Sequence, residues 1–167
     1  ALARIRRILA ARLKAAEKLL ADADATPEQR EEAANAKFDT LDWFDDYGDP
    51  TAREKMIEFA ATLENDQSKS LKLTAVYMLL GDRIQKLDAD DTEGAKKVVQ
   101  WLDTGLDVEP DELDTRLFEL SQQAIQVLFE NDHTAEGIAA LRIAGERFAA
   151  SSRPDLRDAA QSATVQA

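Results

Sequence analysis

Three kinds of residue in this chain could do chemistry or recognition by type: clustered aspartates, a single histidine, and two tryptophans with two tyrosines. Asp42, Asp45, Asp46 and Asp49 fall close together, and Asp88, Asp90 and Asp91 form a second group. A calcium loop needs oxygen ligands at its odd positions, Gly at about position 6 and Glu at about position 12. Counted from Asp88, those places hold Glu93 and Val99, so the pattern fails. Aspartates at helix junctions favour the positive end of the helix dipole, and caps with solvated connectors account for both groups. His133 has no second His and no Cys with which to hold a metal, and no motif marks a nucleophile for it to activate. It is expected at a helix start, partly exposed. The Gly residues are isolated, so no phosphate-cradling loop exists, and neither GxSxG nor HExxH occurs. The chain therefore offers no catalytic residue, no cofactor-binding residue and no metal ligand. Trp43, Tyr47 and Trp101 stand as the candidate partner contacts, because aromatic residues are enriched at interaction hot spots. Tyr77 is the fourth aromatic of that kind. Packing between helices is the competing role for all four, and Trp101 stands out because it lies between Val98 and Leu102, off the main apolar stripe.

The elements that carry these residues read as helices. Asp49-Pro50-Thr51, Asp90-Asp91-Thr92 and Asp132-His133-Thr134 each open an amphipathic stretch, at spacings of 41 and 42 residues. A second set of starts interleaves with them at Thr26-Pro27, Gln67-Ser68, Glu109-Pro110 and Ser152-Arg153-Pro154, and Thr26, Ser68, Pro110 and Ser152 are 42 residues apart each time. Two helices per period predict stacked helical hairpins. Apolar steps of three and four predict helices over 2–22, from Pro27 to about 45, and over 50–64, 68–87, 91–106, 111–129 and 133–150. Thr26-Pro27-Glu28-Gln29 carries a full start signal: a Thr cap, Pro at the first helical position, and Gln three after the cap. Asp90 is the expected cap of the fifth helix, with Glu93 three residues on. Gly81, inside the stripe Leu73, Val76, Leu80, Ile84 and Leu87, is expected to permit a close helix approach or a bend. Leu113, Leu117, Leu120, Ala124 and Val127 form the sixth stripe, and Ile138, Leu141, Ala144 and Phe148 the seventh. Residues 155–167 are read as a frayed tail with one short helix through Leu156, Ala159 and Ala163. Short connectors force antiparallel neighbours. The fold class is all-α: antiparallel helical hairpins with a period of about 42 residues, as a TPR-like α-α superhelix or a helical bundle. The period exceeds the tetratricopeptide unit of about 34 residues, and that unit's aromatic signature is absent.

Residues 1–167 are expected to form a single all-helical domain, with enough chain to bury roughly 70% of the unfolded surface. Few Gly and Pro among many Ala, Leu, Glu, Lys and Arg suit helices, and no β-branched alternation supports a strand. The net charge is −12. Such acidity argues against nucleic acid and against an anionic membrane surface as partner. The charge is uneven: residues 1–25 carry six basic against three acidic side chains, and the rest carries fifteen against thirty. No apolar run reaches the roughly 18 residues of a membrane span. With no Cys at all, disulfides, thiol chemistry and Cys-based metal centres are excluded. The chain starts at Ala1 inside an amphipathic pattern with no cap and no signal peptide, which is expected of a piece cut from a longer protein.

Loose Ala-rich motifs carry a family resemblance. They are Ala15-Ala16-Glu17-Lys18-Leu19-Leu20-Ala21, Ala25-Thr26-Pro27-Glu28-Gln29, Ala36-Lys37-Phe38 with Leu41, Tyr47-Gly48-Asp49-Pro50, Phe59-Ala60, Asp132 with Thr134-Ala135, and Phe148-Ala149-Ala150-Ser151 leading to Pro154-Asp155. With these the chain resembles the helical region ahead of the thioredoxin-like domain in bacterial redoxins of the TlpA/ResA type. The resemblance implies a thiol–disulfide oxidoreductase parent whose CxxC pair lies in a following domain, and an exported, periplasmic or anchored location. It carries over no catalytic residue. Three functions follow as expectations. The first is a non-catalytic helical scaffold or protein-interaction domain of such a parent, its partner a protein or its own redoxin domain. The second is a stand-alone, cytoplasmic helical-repeat adaptor for a peptide or protein. The third is an acidic helical enzyme with converging carboxylates in a deep pocket. Whether the chain forms a homo-oligomer stays open.

Overall fold

Thr26 does what its surroundings in sequence prescribe. Its hydroxyl accepts the Gln29 amide at 3.2 Å while the Gln29 side chain accepts the Thr26 amide at 2.9 Å, a reciprocal capping box closed by Pro27 at the first helical position. The helix it starts is the second of eight among the described residues: α1 Leu2–Leu20, α2 Pro27–Asp46, α3 Ala52–Leu63, α4 Lys69–Lys86, α5 Thr92–Gly105, α6 Thr115–Glu130, α7 Thr134–Ala149 and α8 Pro154–Val165. The computed structural model describes residues 2–165, and side chains for 3–162. No strand occurs among the described residues. The fold is all-α, built of antiparallel helical hairpins. The chain divides into two compact units, Ala1–Ala75 and Val76–Ala167, with the division inside α4. The tail forms α8. The frayed end expected beyond it, with the Ala163 side chain, lies outside the described residues.

In the first unit α1 and α2 run antiparallel. Arg6 donates to the Tyr47 carbonyl at 3.2 Å, Arg12 pairs with Asp39 at 3.0 Å and Lys37 with Glu17 at 3.2 Å. Leu9 and Ala16 of α1 and Ala33, Ala34, Phe38 and Leu41 of α2 are buried. Phe59 of α3 meets Phe38 at 4.8 Å between centroids, with the Lys37 ammonium 4.4 Å above its ring. Thr40 of α2 is fully buried, its hydroxyl returned to the Ala36 carbonyl at 2.6 Å. Ser68 opens α4 by accepting the Leu71 amide at 3.3 Å. Gly48 ends α2 with φ +77°, and the Asp49 amide reaches back to the Phe44 carbonyl at 2.9 Å. This is the left-handed helix stop that glycine makes without strain.

In the second unit Tyr77 donates to the Gly105 carbonyl at 2.7 Å and Arg83 pairs with Asp91 at 2.9 Å, so α4 and α5 run antiparallel. Phe118 meets Phe148 edge-on at 5.1 Å, and Phe129 lies over Gly137, which orients α6 against α7 the same way. Helices α5 and α7 are parallel: Arg147 reaches Asp103 and Asp107, 44 and 40 residues away. The two junctions are pinned as well. The Asp88 carbonyl takes the His133 ring, and the Pro110 carbonyl takes the Ser152 amide at 3.1 Å. The core holds Val98, Leu102, Leu106, Ala124, Leu128, Ala140, Phe148 and Leu156.

Several expectations are corrected. α6 starts at Thr115 rather than 111, because Asp114 caps it through the Leu117 amide at 2.8 Å. Pro110 belongs to the preceding turn, and Leu113 is buried from that turn. Asp91, not Asp90, caps α5, through the Gly94 amide at 2.8 Å. The buried face of α4 runs through Leu71, Ala75, Val76, Leu79 and Leu80, so Leu73 and Ile84 sit at its edges. Ile138 is 58% exposed, because α7 buries Gly137, Ala140, Ala144 and Phe148, a face rotated away from it. His133 is 7% exposed, because Asp132 takes the left-handed turn at φ 62° and swings the imidazole inward.

Gly81 makes no close approach: a methyl group added there would meet nothing within 4 Å. Gly81→Ala is therefore expected to raise the unfolding free energy by about 0.5–1 kcal/mol, the helix-propensity gain alone. Urea denaturation checks this, and a lowered midpoint would show that the backbone at 81 needs glycine.

Candidate interaction surface

Trp43 and Tyr47 stand four residues apart near the C-terminal end of α2, on one face of the helix. Their rings stack with centroids 5.8 Å apart and planes 25° apart. The Trp43 side chain is 46% exposed and Tyr47 is half-buried. The pair is held from three sides. The Gly48 turn fixes where α2 stops, and Arg6 of α1 binds the Tyr47 carbonyl. Asp49 accepts the Thr51 amide at 3.0 Å and the Thr51 hydroxyl at 2.8 Å, locking the next connector. Those two bonds hold the Asp49 carboxyl below its ordinary pKa, and the Lys55 and Arg6 charges add to the effect. Asp42 and Asp46, one residue before and three residues after Trp43 on α2, are exposed. On α1 the contacts of Arg6 and Arg12 bracket Ile8, which is 60% exposed.

Trp101 is different. It is 7% exposed inside the second unit, with the Lys97 ammonium 5.5 Å from its ring centre. Its position beside the main stripe turns it into core, so its ring is not an accessible contact. Tyr77 is half-buried with its hydroxyl spent on Gly105, and burial, with the nearby Asp114 charge, pushes its pKa up. The structure thus brings Trp43 and Tyr47 together and leaves Trp101 and Tyr77 in packing roles. In the second unit Phe129 is 39% exposed and Ile138, which periodicity placed on the seventh stripe, is 58% exposed.

Some of the acidic groups serve the backbone, whereas Asp42, Asp45 and Asp46 lie exposed in the last turns of α2 and not at a helix start as the cap reading expects. Asp91, Asp114 and Asp49 take amides at helix starts, and Asp88 takes the Asp90 amide at 3.1 Å. Glu28 at the first turn of α2 and Asp155 beside Arg153 are held below the usual carboxylate range by local hydrogen bonds. Among the described residues no group of three or more His, Asp or Glu is placed to hold a metal ion. No helix among them is long and apolar enough to cross a membrane.

The two tryptophans should report their positions separately. Trp43→Phe is expected to remove most of the acrylamide-quenchable emission and leave the blue-shifted signal of Trp101. Quenching that persists unchanged in that variant would mean that Trp101, not Trp43, faces solvent.

No family model, no curated protein and no solved structure matches the chain.

Proposed function

We propose that this chain is a non-catalytic helical scaffold and protein-interaction domain. The observation that carries the reading is the stacked Trp43–Tyr47 pair, whose indole is 46% exposed while Trp101 is packed and Tyr77 is half-buried with its hydroxyl bonded to Gly105. An exposed indole on a rigid helix end loses little freedom when a partner covers it, and such residues carry much of the energy of interfaces. The period near 42 residues, together with junctions pinned across 45 and 42 residues at His133–Asp88 and Ser152–Pro110, supports a helical-repeat, tetratricopeptide-like organisation.

The motifs around Thr26-Pro27-Glu28-Gln29 and Tyr47-Gly48-Asp49-Pro50 support a parent resembling the TlpA/ResA-type redoxins. In this reading the parent is an exported thiol–disulfide oxidoreductase with its CxxC pair in another domain. The helical domain then positions that domain or selects its clients outside the cytoplasm.

Two experiments divide these statements. A photocrosslinking residue at position 43, with one at the exposed position 90 as control, is expected to give a defined protein adduct only from 43. Equal yields from both positions, or none from either, overturn the interaction reading. Reading the coding sequence on both sides of residues 1–167 is expected to reveal an export signal upstream and a CxxC domain downstream. Their absence removes the redoxin parent and leaves the cytoplasmic adaptor.

A further inference from the structure

We infer that the Trp43 face takes a cationic segment of a partner protein, an Arg- or Lys-bearing peptide whose charged group lies over the indole. The inference rests on the interaction-domain reading and names the chemistry of its occupant. On α2, Asp39, Asp42, Trp43, Asp46 and Tyr47 occur at steps of three and four, so carboxylates and rings share one side of the helix. Asp39 is already paired with Arg12 at 3.0 Å. Asp42 and Asp46 are exposed and make no ion pair with another described residue. A guanidinium or ammonium over an indole face gains from the ring quadrupole, and flanking carboxylates take its remaining donors.

Charge complementarity selects this occupant over two others. A second copy would bring two chains of net charge −12 together. The apolar anchors of the first unit, Trp43 and Ile8, are also few for the core of a stable dimer, which buries about 1,200–2,000 Å². An anionic lipid surface would be repelled by Asp42 and Asp46. The chain's own cations beside the face do not fill it: Arg6 is held by the Tyr47 carbonyl and Arg12 by Asp39.

The test uses the full chain and a fluorescein-labelled peptide of alternating Arg and Leu, followed by anisotropy at low and moderate salt. The same peptide with Glu in place of Arg is the charge control. The Arg peptide is expected to saturate and the Glu peptide not to bind. Trp43→Ala should weaken binding about tenfold or more, as for a hot-spot aromatic, while Trp43→Tyr retains most of it. Asp42→Asn with Asp46→Asn should weaken binding and flatten its salt dependence. Asp90→Asn with Asp111→Asn changes net charge equally at a distance in sequence and should leave affinity unchanged. Equal weakening by both pairs, or an affinity indifferent to Trp43→Ala, would reduce the effect to general attraction and overturn the inference. Concentration-dependent sedimentation abolished by Trp43→Ala would assign the face to a second copy and overturn it too. If neither peptide binds, the cationic occupant is wrong. The crosslinking at position 43 then decides separately whether the face binds any protein.

Discussion

Phe148→Ala is expected to lower the unfolding free energy by about 3–5 kcal/mol, the usual range for deleting a buried phenylalanine ring. Phe148 is 0% exposed, the largest fully buried side chain of the described residues. Its ring meets Phe118 of α6 edge-on at 5.1 Å, an arrangement worth something beyond the area it buries. Leu141, Ala144 and Ala160 border the same narrow space, so helices α6, α7 and α8 all lean on one ring. Helices packed from three directions cannot all relax into the void, which places the cost in the upper part of the range. Against a typical total of about 5–15 kcal/mol, such a loss leaves the variant close to unfolding at room temperature. Urea denaturation followed by circular dichroism reads the change directly. Phe129→Ala is the internal comparison: that ring is 39% exposed and should cost much less. A Phe148→Ala loss no larger than that of Phe129→Ala would mean that α6–α8 do not pack as described.

How much of this was legible in the sequence depended on whether the signal was local. Thr26-Pro27-Gln29 carries its helix start within four residues, and the capping box is present as read. The connectors at Tyr47-Gly48-Asp49 and at Asp132-His133-Thr134 also stood where punctuation put them. Where two aspartates competed for one cap, spacing alone could not choose. Asp91 wins over Asp90 because Arg83, from the preceding helix, binds its second oxygen at 2.9 Å. Proline misled at 110, since its ring suits the first turn of a helix and also a plain turn, and the Asp114 cap decided between them. Apolar stripes gave the right helices with a rotational error. Ile138 sits on the periodic pattern of α7, yet that face turns outward because Gly137 and Ala140 provide the close approach to neighbours. The candidate surface was half legible. Residue type singled out Trp43, Tyr47 and Trp101 together, and type cannot tell an indole over a lysine in the core from an indole over solvent. Only tertiary packing separates the 7% of Trp101 from the 46% of Trp43. His133 was missed as a pin because its partner is a carbonyl 45 residues away, and carbonyls carry no residue signature.

Gly105→Ala is expected to destabilise the chain by about 1–3 kcal/mol, although alanine is the better helix former. The sequence offers Gly105 as a stop signal for α5. The structure gives it a second duty, since Leu106 and not Gly105 is the capping residue and Gly105 is buried within the helix. An added methyl group would stand 2.8 Å from one edge carbon of the Tyr77 ring and 3.3 Å from the next. Ring contacts that short are repulsive, so the ring must move. Tyr77 is not free to move without loss, because its hydroxyl donates to the carbonyl of the same Gly105 at 2.7 Å. One edge of the ring abuts the glycine while its hydroxyl is tied to the same residue, so the shift that relieves the clash lengthens the hydrogen bond. Losing that bond at a half-buried hydroxyl adds about 0.5–1.5 kcal/mol to the repulsion, while the propensity gain returns less than about 1 kcal/mol. The net sign is destabilising. A double-mutant cycle isolates the cause: Tyr77→Leu removes both ring edge and hydroxyl, and on that background Gly105→Ala should become neutral or stabilising. If Gly105→Ala costs the same with Leu at position 77, the penalty arises in the α5 backbone, and the Tyr77 contact is not what requires glycine there. Set beside Gly81→Ala, the pair of substitutions separates helix propensity from close packing: the same chemical change in two helices, with opposite expected signs.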